Sequence, residues 1–517
     1  MSEATLNDWL ERWALERADR DALRQGGRRV SYAQLRREVA ALACSLDRLG
    51  IAKGEVVAVQ LPNIVEFVVA YLAIASRGAL MQTVHMAYRA AEIEVLLKHS
   101  RAAAAIVTAQ AKDYRAADLV LELKPRLPQL RQIIAVGEAP AGALSFAELA
   151  AASGEAKQVA LGIEDLFLLL YTSGTTSAPK GVPHAYRNFL GNSRLSAEAL
   201  SVGPEDVLLS AAPFTHLYGL FTFNMALSAG ACSLLLPAFS PPELARLMHE
   251  ARPTLAFTAP AHIAACLAMK LFEGKDLSSL RYVQISGSAV PPALGRAFEP
   301  LLKGGKVMQL WGMTELQAGA FTRLDDPEPV RVGTTGRPSP GTELRVMRDD
   351  GVPAAPGEVG ELQMRGASLF SGYLDNAEAT RTAFTADGWF RTGDLASMDE
   401  RGNTALAGRT KDIINRGGVK FNPLDVEALI ARHPAVEQAA IVPMPDAVLG
   451  EKACLFVTLK AGGELSLEAV QRWLDAAQLA KLKWPERLEI IDEMPMTPTR
   501  KVIKGALVQR LAKEAPQ

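Results

Sequence analysis

Cysteine is scarce, with four residues in 517, and Cys44, Cys232, Cys266 and Cys454 lie far apart with no CxxC spacing. That excludes a disulfide framework and a thiolate zinc site, and it points to a reducing compartment. Excess charge is lacking too: the formal net charge is −1, so no basic field draws in nucleic acid or an anionic membrane. The basic pairs Arg28-Arg29 and Arg36-Arg37 read as solvated turn or helix faces. No uninterrupted apolar run approaches membrane-spanning length. The opening MSEATLNDWLERWALERADR is amphipathic and charged, without the basic head and apolar run of a signal peptide. The closing KEAPQ is not a peroxisomal address. No internal repeat or low-complexity tract is evident. The expected location is the cytoplasm, with no nucleic-acid and no membrane partner.

What is present is apolar bulk. About half the residues are hydrophobic and 22% are charged, and the length exceeds what one core organises, so two or more domains are expected. Ser31 is placed to cap a helix whose stripe is Leu35, Val39, Leu42 and Leu46, with Gly50 to end it. A strand follows at 55–61, a helix at 66–76 and a strand at 79–84. The alternation resumes with strands at 207–210, 233–236, 255–258, 283–286 and 307–310. This βαβ texture predicts an α/β fold, a large N-terminal domain of parallel-rich sheets packed with helices. After residue 330, short β-like runs at 342–346, 360–365 and 403–407 sit between Gly and Pro turns and predict a β-rich layer. Residues 408–423 read as a loop leading into a small mobile α+β C-terminal domain. The expected domains are 1–410 and 411–517, with the boundary close to Lys411.

The most informative segment is Leu168-Leu-Leu-Tyr-Thr-Ser-Gly-Thr-Thr-Ser-Ala-Pro-Lys-Gly-Val182. An apolar strand ends at Tyr171 and opens into Thr172, Ser173, Gly174, Thr175 and Thr176, followed by Lys180. Exposed N–H groups, hydroxyls and one ammonium on permissive glycines are what a polyphosphate needs. By composition alone a solvated Ser/Thr linker reads equally well. The segment is not a Walker A loop, because Pro179 precedes the lysine and Gly181 follows it.

Tyr171-Thr-Ser-Gly-Thr-Thr-Ser-Ala-Pro-Lys-Gly181 resembles the signature loop of the adenylate-forming superfamily of acyl-CoA synthetases, aryl-CoA ligases, luciferase and adenylation domains. Further segments match in the same order. Gln309-Leu-Trp-Gly-Met-Thr-Glu315 is similar to the segment whose aromatic ring lies along adenine. The resemblance implies that role for Trp311, beside Gly312, an α-phosphate contact for Thr314 and a Mg²⁺ ligand in Glu315. Gly388-Trp-Phe-Arg-Thr-Gly-Asp394 resembles the segment whose aspartate grips the ribose diol. Gly408-Arg-Thr-Lys-Asp-Ile-Ile-Asn-Arg-Gly-Gly-Val-Lys-Phe-Asn-Pro423 resembles the hinge. There Arg409 would reach the ribose, Lys411 would be the pivot, and Gly418 would line the pantetheine channel. Asn415 stands where many relatives carry Lys. Met496-Thr-Pro-Thr-Arg-Lys-Val502 resembles the segment carrying the catalytic lysine, here Lys501, with Arg500 replacing the usual Gly and Lys504 as the fallback. Gly360-Glu-Leu-Gln-Met-Arg-Gly366 and Ser371-Gly-Tyr373 add support.

The resemblance implies an ATP-dependent acid–thiol ligase that uses ATP, Mg²⁺ and coenzyme A and works as a monomer or homodimer. The carboxylate would form an acyl-adenylate with loss of pyrophosphate, and the acyl group would then pass to the thiol. By the same resemblance, Pro213-Phe-Thr-His-Leu-Tyr-Gly-Leu220 carries His216 at the acyl carboxylate. Tyr218, Gly219, Phe221, Asn224, Met313 and Ala318 would wall the acid pocket, and Gly287, Ser288 and Ala289 would border nucleotide and acid. A core histidine satisfied by backbone is the alternative for His216. The apolar or neutral lining favours an aryl or short-to-medium apolar acid over a dicarboxylate. Likeness to the oxalate-CoA ligase branch keeps a small acid open. No Asp from Pro213 to Ala226 is present to hold an α-ammonium, which disfavours amino-acid adenylation. The alternatives are transfer to a carrier-protein phosphopantetheine and, more remotely, a non-catalytic nucleotide-sensing protein on the same fold.

Overall fold

The computed structural model describes residues 5–172, 179–416, 419–446, 448–497 and 501–514. The protein is mixed α/β. Its residues pack into two compact units, one built on residues up to Thr172, Pro179–Glu343 and Arg365–Phe384, the other on Leu344–Met364 and residues from Thr385 onward.

In the first unit the βαβ alternation folds into two large, mainly parallel sheets. One runs, edge to edge, through Arg337–Pro338, Gln317–Phe321, Lys306–Met313, Tyr282–Ile285, Leu255–Thr258, Val207–Ser210, Cys232–Leu234, Asp21–Gln25 and Arg28–Ser31. The other runs through Leu144–Ser145, Gln132–Val136, Ala104–Thr108, Val56–Gln60, Leu80–Thr83, Leu166–Thr172 and Lys180–Ala185. The helix after Ser31 is Tyr32–Arg48, and the Ser31 hydroxyl accepts from Gln34 N at 3.2 Å, the N-cap its sequence announced. The charged opening stretch becomes helix Leu6–Glu16, where Thr5 and Asp8 cap each other's backbone. The basic pairs are solvated faces held by local carboxylates, as in Arg28 to Glu66 at 2.7 Å and Arg36 to Glu11 at 3.3 Å.

Two helices lack a polar face and are therefore enclosed. Helix Val65–Ser76 buries ten of its twelve residues, and helix Leu217–Ala229 buries eleven of thirteen. The second helix divides its faces between two cores. Leu217, Leu220, Phe223 and Leu227 join the cluster around Val65–Ser76. Tyr218, Phe221, Met225 and Ala226 join Leu255, Phe257, Tyr282, Met308, Leu310 and Ala318 on the face of the nine-stranded sheet.

In the second unit, Thr342–Met347, Gly360–Gly366, Phe390–Met398 and Thr404–Arg409 form a four-stranded sheet. The tail packs helices Pro423–Ile430, Leu467–Ala476 and Lys504–Glu514 on a sheet built around Val436–Asp446 and Gly450–Leu459. The stretch 408–423 corrects the expectation of a loop. It contains a short 3-10 turn at Thr410–Asp412 and the strands Ile414–Arg416 and Val419–Phe421, paired antiparallel. Buried Ile414 and Phe421 drive it, because alternate residues of a short strand reach the core. All four cysteines are buried thiols. Among the described residues no helix is long and apolar enough to cross a membrane.

Candidate active site

In the first unit the strands Leu166–Thr172 and Lys180–Ala185 pair antiparallel, with Thr172 opposite Lys180. Ser173, Gly174, Thr175 and Thr176 lie outside the described residues. The Lys180 ammonium sits 4.8 Å from the centre of the Tyr373 ring, a cation–π contact. The Tyr373 hydroxyl donates to Glu315 Oε1 at 2.9 Å. Burial, with the Glu315 charge added, holds this phenol well above its usual range, so it stays a proton donor. The Phe370 N–H donates to the Glu315 carbonyl, and the Leu374 N–H to the Gly181 carbonyl, both at 2.9 Å. The segment 370–374 thereby straps the carboxylate and the lysine together. Sequence reasoning noticed Ser371-Gly-Tyr373 without giving the tyrosine a task, since nothing local announces a contact 58 residues away.

Thr314 and Glu315 occupy the turn of the hairpin Lys306–Met313/Gln317–Phe321. Glu315 is only 6% exposed. A bulge between Trp311 and Gly312 reshapes the first strand. A Cβ on Gly312 would lie 1.9 Å from the Gln317 carbonyl oxygen, so the turn closes only with glycine there. We expect Gly312→Ala to cost about 1–3 kcal/mol through overpacking and to displace Glu315. Thermal melting together with Mg²⁺ titration of adenylate formation checks this. The Trp311 ring is 4% exposed and covers Gly319, where an added Cβ would meet it at 2.2 Å.

His216 caps helix Leu217–Ala229: its Nδ1 accepts from the Tyr218 N–H at 3.2 Å. A nitrogen that accepts carries no proton, so the neutral ring holds its proton on Nε2. His85, unnoticed in the sequence, stacks at 6.3 Å on His216 and places Nδ1 3.0 Å from the Thr215 hydroxyl. Burial pushes its pKa down to about 4, so it is neutral. Gly219 is a packing residue, since a Cβ there would meet the Pro213 carbonyl oxygen at 2.3 Å. Tyr218, Phe221 and Ala318 share one cluster. Asn224 departs from them: its amide Nδ2 donates to Tyr71 Oη at 3.1 Å. Tyr71 belongs to the core on the helix's other face. The resemblance implied a pocket-wall position for Asn224, and the tyrosine hydroxyl gives its amide a partner in the core. Gly287, at φ +99°, Ser288 and Ala289 follow strand Tyr282–Ile285 after Ser286, and Met313 ends strand Lys306–Met313.

The second unit gathers cations around one carboxylate. Asp394, 7% exposed, pairs across its sheet with Arg409, whose Nε is 3.1 Å from Oδ1. Thr410 Oγ1 donates to the Gly393 carbonyl at 3.1 Å, tying the turn that carries Lys411 to the strand that carries Asp394. Lys501 is held by a small bridge: its N–H donates to Thr497 Oγ1 at 3.0 Å, and its carbonyl accepts from Thr497 N at 2.7 Å. Burial and then the Arg409 charge push the Lys501 pKa down to about 8, with Asp394 opposing. Lys411 is lowered for the same reasons, burial first and then Arg409. Asp394 thus pairs with one guanidinium, and Lys411 and Lys501 lie within electrostatic reach of both charges, a setting that suits vicinal hydroxyls and a phosphate. Lys504 is committed elsewhere, 2.8 Å from Glu427, which weakens it as the fallback. Gly418 and Arg500 lie outside the described residues, and Asn415 N donates to Glu451 at 2.7 Å.

The residues fit Mg²⁺. It is a hard cation usually held by one or two carboxylates plus phosphate oxygens and water, and Glu315 presents a lone buried carboxylate. Among the described residues no group of three His, Cys, Asp or Glu could hold a metal without a substrate.

The AMP-binding enzyme model matches residues 10–374, and the AMP-binding enzyme C-terminal domain model matches residues 425–501. The chain is 33% identical over 521 residues to the medium-chain fatty-acid–CoA ligase of Escherichia coli K12, covering 100% of this chain and 92% of the relative. It is 32% identical over 514 residues to the 2,3-dihydroxybenzoate-AMP ligase of Bacillus subtilis 168, covering 99% of this chain and 94% of that one. The crystal structure of the anthranilate CoA ligase AuaEII in complex with anthranoyl-AMP superposes with a TM-score of 0.89 at 29% identity, covering 99% and 98% of the two chains. The chain therefore belongs to the AMP-binding, adenylate-forming enzyme family and is an AMP-forming ligase that joins a carboxylic acid to a thiol.

Proposed function

We propose that the thiol is that of coenzyme A and that the acid is an aryl or a short-to-medium apolar acid. In the first half-reaction a carboxylate oxygen attacks the α-phosphorus of ATP, the bond to the bridging oxygen breaks, and pyrophosphate leaves. In the second the thiolate attacks the acyl carbon and AMP leaves with the electron pair of the anhydride oxygen. Two anions must meet in the first step, so the protein's contribution is position and compensating positive charge. Lys501 supplies an ammonium to the α-phosphate, Thr314 a hydroxyl, and Lys180 with Thr172–Thr176 cradles the outer phosphates. Asp394 and Arg409 bind the ribose, and Trp311 lies along the base. Glu315 holds Mg²⁺, which, when bound, neutralises phosphate charge. His216, with its Nε2 proton, orients the acid carboxylate. The tail, 411–517, turns about Lys411 between the two steps, which brings Gly418 to the pantetheine arm. The buried thiols support a cytoplasmic location.

The observation that carries this reading is the Asp394–Arg409 pair, Nε to Oδ1 at 3.1 Å, with Lys501 near enough for the Arg409 charge to lower its pKa. Pyrophosphate exchange with a panel of acids tests it, and turnover with free coenzyme A against isolated carrier proteins separates the two thiols. The likeness to an aryl-AMP ligase keeps carrier loading as the second reading. The pH dependence is specific. With its pKa lowered to about 8, Lys501 is charged below that pH and loses its proton above it. The kcat/KM for ATP in exchange should therefore fall about tenfold per pH unit above 8, because this parameter titrates the free enzyme. Lys501→Arg should abolish that alkaline limb, and a flat wild-type profile to pH 9.5 would contradict the assignment.

A further inference from the structure

Tyr171 stands next to the end of strand Leu166–Thr172, and its hydroxyl lies 2.8 Å from Nδ1 of His99, in the last turn of helix Ala90–Ser100. The two rings meet edge to face, with centres 5.8 Å apart at 75°. Burial, with the Asp375 charge added and Ser100 opposing, holds the phenol well above its usual range, so it keeps its proton. It can then bond the ring nitrogen whichever of the two donates.

Alternate residues of a strand share a face, and Leu169 and Tyr171 both pack on the cluster that holds Ile93, Leu96 and Leu97 of this helix. The helix end is itself fixed to the sheet. The buried Ser100 hydroxyl donates to Gln82 Oε1 at 2.6 Å, and Gln82 is the neighbour of Leu169 in register on strand Leu80–Thr83. One residue further on, Arg101 pairs with Asp375 at 3.0 Å, but with side chains 68% and 48% exposed that ion pair contributes little. The half-buried phenol is the stronger tie.

The strand needs that tie at its end. Its parallel pairing with Leu80–Thr83 is registered at Leu168 and Leu169. Beyond them, among the described residues, Tyr171 and Thr172 have a ladder partner on one side alone, Gly181 and Lys180 of the next strand. A strand end with one neighbour is where a sheet opens first, and Thr172 and Lys180 face each other there.

We infer that Tyr171, held by His99, is a positioning residue that fixes Thr172 and Lys180 for their phosphate contacts, so that helix Ala90–Ser100 braces the nucleotide site from behind. This rests on the reading that gives Thr172 and Lys180 the outer phosphates. Those phosphates belong to ATP and are absent from an acyl-adenylate, so the brace serves the first half-reaction. A bond that merely held the scaffold together would serve both halves alike.

The test measures pyrophosphate exchange, and thioester formation from a synthetic acyl-adenylate, in wild type, Tyr171→Phe, His99→Phe and the double variant. Each single variant should raise the KM for ATP roughly tenfold and leave kcat within about threefold. Thioester formation should stay within about twofold. The double variant should be no worse than the weaker single one, because both remove the same bond. His99→Asn, whose amide nitrogen can stand where Nδ1 does, should bring the KM back to within about threefold of wild type; this variant decides the matter even if Tyr171→Phe folds poorly. An unmoved KM for ATP, equal loss in both halves, or single effects that multiply would overturn the assignment. Wild type that exchanges pyrophosphate with no acid at all would sink the functional reading underneath, whereas normal exchange with an unmoved KM sinks the brace alone.

Discussion

Lys501→Ala should lower acid-dependent pyrophosphate exchange by about a thousandfold, ~4 kcal/mol of barrier, while thioester formation from a synthetic acyl-adenylate stays within about threefold. The reason is the charge balance of the second unit. Without that ammonium the Arg409 guanidinium remains beside Asp394, so under the proposed roles ribose binding is kept while the pentavalent phosphorus loses its compensating cation. The second half-reaction expels AMP from an anhydride already formed and draws nothing from this lysine. Equal loss in both halves would remove Lys501 from its role. Lys504→Ala is the internal control. Its ammonium faces Glu427, so its loss should reduce stability and spare exchange.

The second large effect is expected at Glu315. Glu315→Gln preserves an acceptor for the Tyr373 hydroxyl, so the strap at 370–374 should survive and the melting temperature should move little. The variant removes the charge that draws Mg²⁺, and we expect adenylate formation to fall by at least a hundredfold, ~3 kcal/mol, with partial recovery at raised Mg²⁺. Tyr373→Phe should be milder, roughly tenfold, the scale of one hydrogen bond to a charged group. Because the tyrosine touches both Glu315 and Lys180, the double variant should fall short of the product of the single effects. A Glu315→Gln enzyme with unaltered Mg²⁺ dependence would place the metal elsewhere.

Much of the architecture could be read from patterns confined to a few residues. The Ser31 cap, the apolar strand ending near Tyr171 and the five buried strands between residues 207 and 310 are set by local periodicity and hydroxyl capping. The motif residues Lys180, Glu315, Asp394, Arg409 and Lys501 could be nominated because each sits in a stereotyped run. Contacts made only in three dimensions were not legible. Tyr373 gains its task from partners far along the chain. His85 becomes notable only because folding stacks it on His216. Asn224 finds its partner in Tyr71, a contact that exists only once the two helices pack. The antiparallel pair Ile414–Arg416 and Val419–Phe421 was hidden because each run is only three residues long.

The helix Leu217–Ala229, with one side in each of two cores, separates tasks that most pocket helices mix. If the proposed acid pocket lies on the side of Tyr218 and Phe221, acid preference can be altered there while Leu220, Phe223 and Leu227 keep the helix anchored in the other core. Tyr218 and Phe221 are themselves 6% and 1% exposed, so truncating either should cost about 2–5 kcal/mol, and a library at these positions is best built from substitutions that conserve volume.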